Sequence, residues 1–224
     1  MISRFKWYAV RVPCSVDEFL QKLAQNRYDP SLNSGFIVNI PDRSFQFFWR
    51  TSLYATSIDL DGISKQNEVV STCSQKVTLL GTDQLMFRME DPPRSSKELL
   101  NSLDKILGFG FSCEQIFVTD KIVKDSIKSF QTITLNSLKL SGSISSIAAT
   151  ARVEIASKVG IDPESVEGFG LSHSVVDAGS YSVRYKGLTG QVGFTRTGIC
   201  KLSGDLSPRV QVYIETTLMA RLKK

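Results

Sequence analysis

The segment Ser44-Phe-Gln-Phe-Phe-Trp-Arg-Thr-Ser-Leu-Tyr54 packs five aromatic residues and one arginine into eleven positions. Its residue types are those of a strand: aromatic side chains fit a pleated surface, and neither Gly nor Pro interrupts the run. Alternation sorts the segment into two faces. Phe45, Phe47, Trp49, Thr51 and Leu53 share one, which reads as a core face; Gln46, Phe48, Arg50, Ser52 and Tyr54 share the other. The second face admits two readings. One is a central strand covered on both sides, with Arg50 paired to a carboxylate and Tyr54 at the rim. The other is a stacking platform, because nucleic-acid bases pack on aromatic and guanidinium planes.

Upstream, RFKWYAVRV (4–12) reads as a strand that Pro13 ends, and Ser15-Val-Asp-Glu18 is a capping box opening a helix over 16–26 with Phe19, Leu20 and Leu23 on its apolar stripe. GFIVNI (35–40) is a strand just before the aromatic one. Downstream, residues 67–80 and 85–90 read as strands around Gly81-Thr-Asp83. Ser95-Ser-Lys-Glu98 repeats the capping logic, Leu99, Leu103, Ile106 and Leu107 form a second stripe, and Gly108 stops the helix. A strand over 111–118 and a third helix from Thr119 to about Phe130 follow.

The rest of the chain alternates. Residues 131–140, 150–157, 180–187, 190–202 and 208–218 read as antiparallel strands. Ser143–Ala151 also fits a helical period. Lys139-Leu-Ser-Gly142 leading to Arg152-Val-Glu-Ile155, and Lys201-Leu-Ser-Gly204 leading to Arg209-Val-Gln-Val212, read as two similar hairpins. The expectation is an α+β fold, β-rich and mostly antiparallel, with two to four helices. An α/β portion over 1–130, with a ferredoxin-like order of elements, precedes a β-rich portion over 131–224 that can continue the same sheet.

The chemistry is thin. His173 is the only histidine, so a multi-histidine metal site is excluded, and Cys14, Cys73, Cys113 and Cys200 lack zinc-ligand spacing. His173 could serve as a general base for RNA cleavage, as in a metal-independent nuclease, or for acyl transfer, but the sequence names no partner for it, and Asp177 four residues on points to nothing specific. Ser57, Asp59, Asp61, Gly62 and Glu68 fall at calcium-loop spacing, yet Ser57 lacks the carboxylate the first position needs and the flanks read as strands; an acidic hairpin turn explains them. There is no GxxxxGK[ST] loop and no GxGxxG. Neither cofactor nor metal is expected.

Twenty-seven Lys and Arg against 22 Asp and Glu give a net charge of +5, which permits a polyanionic partner. Gly187, Gly190, Gly193 and Gly198 are interspersed with Arg184, Lys186, Arg196 and Lys201, where glycine would let a phosphate approach the backbone and the cations would meet its charge; hairpin turns and bulges explain the same glycines. Charges at Arg4, Lys6 and Arg11 leave no signal-peptide core, no apolar run is long enough for a membrane span, and scattered cysteines fit a reducing cytoplasm. The functional expectation is a non-enzymatic cytoplasmic binding subunit that contacts RNA or DNA through Phe48, Arg50 and Tyr54 and through Arg184, Lys186, Arg196 and Lys201. The alternative is a protein–protein assembly module, a homo-oligomer or subunit of a larger complex, that binds no nucleic acid.

Overall fold

Ser15 opens the first helix as the spacing predicts: its hydroxyl accepts from the Glu18 amide at 3.2 Å, and Glu18 and Lys22 pair at 3.0 Å one turn apart. A computed structural model describes residues 1–58, 60–144, 149–162 and 172–223. Its elements are β1 (Ile2–Arg11), α1 (Val16–Gln25), β2 (Ser34–Asn39), β3 (Ser44–Ile58), β4 (Ser64–Leu80), β5 (Leu85–Glu90), α2 (Lys97–Leu107), β6 (Ser112–Ile116), α3 (Asp120–Ile127), β7 (Thr132–Ile144), β8 (Ala149–Ala156), β9 (Ser172–Tyr185), β10 (Leu188–Thr195), β11 (Cys200–Gly204) and α4 (Ser207–Leu222). The protein is α+β and β-rich, with mostly antiparallel strands and four helices among the described residues.

The chain forms two compact units: a central one, Val10–Cys113, and a terminal one that joins Met1–Ala9 to Glu114–Lys224. The ferredoxin-like order expected for the first half draws on β1 and β6, and both strands straddle this division.

In the central unit β2, β3, β4 and β5 form an antiparallel run. Phe19 and Leu23 of α1 and Leu99 and Leu103 of α2 are buried, as are Phe36, Phe45, Phe47 and Phe87 from the strands. The rings of Phe19, Phe36, Phe45 and Phe87 meet in four contacts at centroid distances of 5.8 to 6.0 Å, one stacked and three edge-on, as ring quadrupoles favour. α2 begins at Ser96 without a side-chain cap, and Ser95 instead accepts from the Lys97 amide at 3.3 Å. Gly108 closes it at φ +67, its amide donating to Asp104 at 2.8 Å.

In the terminal unit the order is β1–β11–β10–β9–β7–β8, antiparallel throughout. α3 and α4 pack on one face, over Tyr181, Val183, Val192, Phe194 and Leu202. Trp7 is fully buried and donates from Nε1 to Glu215 of α4 at 3.3 Å; Ser126 of α3 bonds Thr217 of α4 at 3.0 Å.

Three expectations change. Residues 208–218 are not a strand but most of α4. The run Val210-Gln-Val-Tyr-Ile214 alternates, yet Val210, Ile214 and Leu218 are the buried residues, one per helical turn, while Val212 is exposed. Pro208 in the first turn removes no hydrogen bond there, so it favours a helix start over a central strand. The second Lys-Leu-Ser-Gly stretch therefore ends a strand and enters a helix; only the first makes a hairpin, β7 with β8. The span 190–202 is two strands, β10 and β11, separated by a turn in which Gly198 sits at φ +77. In the helical reading of 143–151, Ile147 and Ala148 lie outside the described residues; Ile144 ends β7 and Ala149 begins β8.

The aromatic strand departs from its expectation as well. The core face of β3 ends early: Phe45 and Phe47 are buried, Trp49 and Thr51 partly so, and Leu53 is 59% exposed. β3 and β4 stay paired from Ser44↔Thr78 out to Ile58↔Ser64, but from Ser52 on β3 and before Cys73 on β4 every described side chain is exposed.

Candidate nucleic-acid interface

Strand register places three cations of the terminal unit, Arg184, Lys201 and Arg4, on one sheet face. Across its helix-free face runs a row Thr132–Arg184–Thr189. Beside it lies Thr134–Ser182–Gln191–Ser203, and the next row is Ser137–Ser180–Gly193–Lys201–Arg4. Tyr181 and Val183, between these residues in sequence, point into the core under the helices. That is why Ser182 and Arg184 point away from it.

The result is a groove of about 520 Å³ floored by Thr132, Thr134, Ser182, Gln191 and Ser203 and rimmed by Arg184; none of its ten lining residues carries a carboxylate. Small hydroxyl side chains keep the floor shallow and offer donors and acceptors. Gly193 leaves open the space between Ser180 and Lys201, since a Cβ there would meet nothing nearer than 3.6 Å. Lys201 stands four residues along and two strands across from Arg184, about 13 Å by about 10 Å at ordinary strand spacings. Farther along, Lys139 pairs with Glu154 at 2.7 Å and Arg152 faces Ser141.

The remaining sequence candidates are placed elsewhere. Lys186 sits in the β9–β10 turn at φ +48, followed by Gly187 at +80, the left-handed pair that a tight two-residue hairpin requires. Its amide donates to Gln131 at 2.8 Å and its ammonium lies 5.6 Å from the centroid of the Tyr185 ring. Arg196 is held by Asp177: its amide donates to the Asp177 carbonyl at 2.6 Å, and the side chains pair at 3.5 Å. It thus belongs to neither of the rows that hold Arg184 and Lys201. The side chain of His173 lies outside the described residues, as does Asp59 of the calcium-like spacing.

Phe48, Arg50 and Tyr54 belong to the central unit. Phe48 is stacked under Tyr28 at 4.7 Å and 21°. Gly35 makes this approach feasible, because a Cβ there would stand 2.5 Å from the Tyr28 Cα. The Arg50 guanidinium donates to the Pro30 carbonyl and is exposed, where a carboxylate partner was expected. Tyr54 is 67% exposed and stands across the ladder from Glu68.

Sequence reasoning missed a cluster at the β9–β10 turn. Arg209 of α4 lies 4.2 Å from the centroid of the Tyr185 ring and donates to the Tyr213 hydroxyl at 3.0 Å; Phe130 meets Tyr185 and Tyr213 edge-on at 6.1 and 5.6 Å. The Arg209 hydrogen bond holds the Tyr213 hydroxyl below the usual tyrosine pKa. The signal was the four-residue spacing of Arg209 and Tyr213, which has meaning only on a helix. Lys186 and Arg209 thus both lie against the Tyr185 ring at this turn.

No three His, Cys, Asp or Glu side chains converge as a metal site among the described residues, and no helix there is long and apolar enough to cross a membrane. No protein-family model matches the chain, and no curated protein matches it either.

Proposed function

We propose that the protein is a non-enzymatic, cytoplasmic nucleic-acid-binding subunit that holds a phosphate backbone along the helix-free sheet face of its terminal unit. The observation that carries this reading is the groove itself: hydroxyl-floored, rimmed by Arg184, free of carboxylates, with Lys201 on the same face. Arginine and lysine neutralise phosphates, while serine and threonine hydroxyls bond phosphate oxygens and sugars. Aromatic side chains are lacking from these rows, so the reading is of a backbone contact with little base preference. Four unpaired cysteines suit a reducing compartment.

The test is fluorescence anisotropy with labelled single-stranded RNA, single-stranded DNA and duplex probes across a salt titration. Binding should fall steeply with salt, as counterion release dictates. The doubly reversed variant Arg184→Glu/Lys201→Glu should bind far more weakly with an unchanged melting temperature. Affinity absent at low salt, or indifferent to that double reversal, would remove the proposal.

A further inference from the structure

The β3–β4 ribbon continues past the core of the central unit with both faces exposed. A two-stranded ribbon of this kind is marginal in water without something packed against it. Its free edges differ. The amide of Arg50 donates to Asn33 just before β2, and the amide of Leu79 on β4 donates to Arg43 just before β3. By alternation the even-numbered residues of β3 therefore turn their N–H and C=O groups away from β4. Up to Arg50 those groups meet the β2 side; from Ser52 on, no strand lies beside them among the described residues.

The open edge of β3, Thr51-Ser-Leu-Tyr-Ala-Thr-Ser-Ile58, has no charge, no proline and no glycine. It lacks every device by which exposed edges are usually blunted. The other edge, on β4, does carry charges, Lys65 and Glu68.

We propose that this β3 edge is a homodimer interface, in which Thr51–Ile58 of two copies pair antiparallel about a two-fold axis. A second copy fits better than a polyanion. The span 51–72 holds Lys65 against Asp59, Asp61 and Glu68, net −2 within a +5 chain, so it repels phosphate. Self-pairing of an uncharged edge sets no like charges opposite one another, and the isologous arrangement requires each copy to offer the same edge. It also places Leu53 of both copies on one face, beside Val69, its neighbour across each ribbon.

Sedimentation velocity of the full chain, from micromolar to hundreds of micromolar, should show a concentration-dependent rise from the monomer mass to twice that mass. Thr56→Pro removes one outward-facing amide from each copy and leaves the bonds to β4 in place. It should raise the dimer dissociation constant by roughly tenfold or more, since two symmetry-related hydrogen bonds are lost. Gln66→Pro does the same on the β4 edge and should leave the dimer intact. Circular dichroism and thermal melts verify that each variant folds, and Thr56→Lys, which charges the same edge, substitutes for Thr56→Pro should that variant unfold. A protein monomeric at every concentration, or a dimer unaffected by both Thr56 variants, would overturn the proposal.

Discussion

The two units manage the exposed surface of their sheets in opposite ways. In the terminal unit α3 and α4 cover one face, and the other is given over to short hydroxyl side chains and cations, so it is finished as a wet surface. In the central unit the core ends near Trp49 and Cys73 while the strands run on, carrying Leu53, Val69, Val70 and Ile58 into solvent. The difference teaches that alternation along a strand reports a face, whereas the extent of its cover is set elsewhere. A helix of ten residues such as α1 spans about 15 Å, and the fifteen residues of β3 span about 50 Å.

The sharpest way to break this comparison is to truncate the same residue type in the two environments. Leu103→Ala, inside the core of the central unit, should cost roughly 2–5 kcal/mol in denaturant unfolding. Leu53→Ala on the ribbon should stay within about 0.5 kcal/mol in dilute, monomeric protein. Equal effects would show that the ribbon is covered after all.

Reversing one cation on the wet face comes next. Lys201→Glu alone should weaken nucleic-acid binding about tenfold and flatten its salt slope by about one unit, read from anisotropy at several salt concentrations. A loss of stability without a loss of affinity would make Lys201 a structural residue instead.

Alkaline pH probes the two units through a half-buried thiol, Cys113, and a fully buried one, Cys200. Burial raises Cys113 of the central unit from its ordinary 9.0 to about 12, and raises Cys200 of the terminal unit as well. Below about 9 the thiols are protonated in both folded and unfolded chains, and the contribution is complete. Between about 9 and 12 the unfolded chain releases protons that the folded protein keeps, so stability falls as pH rises. Melting temperatures measured across that range should decline, and Cys113→Ala should decline less steeply. A flat profile would place these thiols in water.

The smallest expected effect is that of Arg50→Ala. Its guanidinium is exposed and, among the described residues, bonds the Pro30 carbonyl alone, so stability should change by less than about 1 kcal/mol in a thermal melt. A larger loss would show that the 27–33 loop depends on that one contact.

What the residues revealed in advance follows from which signals are local. Ser15 with Glu18 and the φ-positive stop at Gly108 act over three or four residues, and both helix ends were legible. α4 was not, because Val210-Gln-Val-Tyr-Ile214 satisfies period two, and only packing against β10 and β11 selects the Val210–Ile214–Leu218 stripe. Arg184 and Lys201 could be suspected of acting together, but the register that aligns them through Thr189 and Gly193 is a tertiary fact. Phe48 misled for a related reason: its stacking partner is Tyr28, brought close by Gly35, and no spacing rule links those three positions.

The pairing of Trp7 with Glu215 carries a consequence for synthesis. As a ribosome extrudes the chain, residues 10–113 emerge as one uninterrupted stretch, whereas Phe5 waits for Cys200 of β11 and Trp7 for Glu215 of α4, a separation of 208 residues. Long-range closure of this kind is slow compared with local assembly. The nascent segment that bears Phe5 and Trp7 therefore stays unsatisfied while residues 10–113 are made, and a chaperone that recognises short apolar aromatic stretches has its best opportunity there.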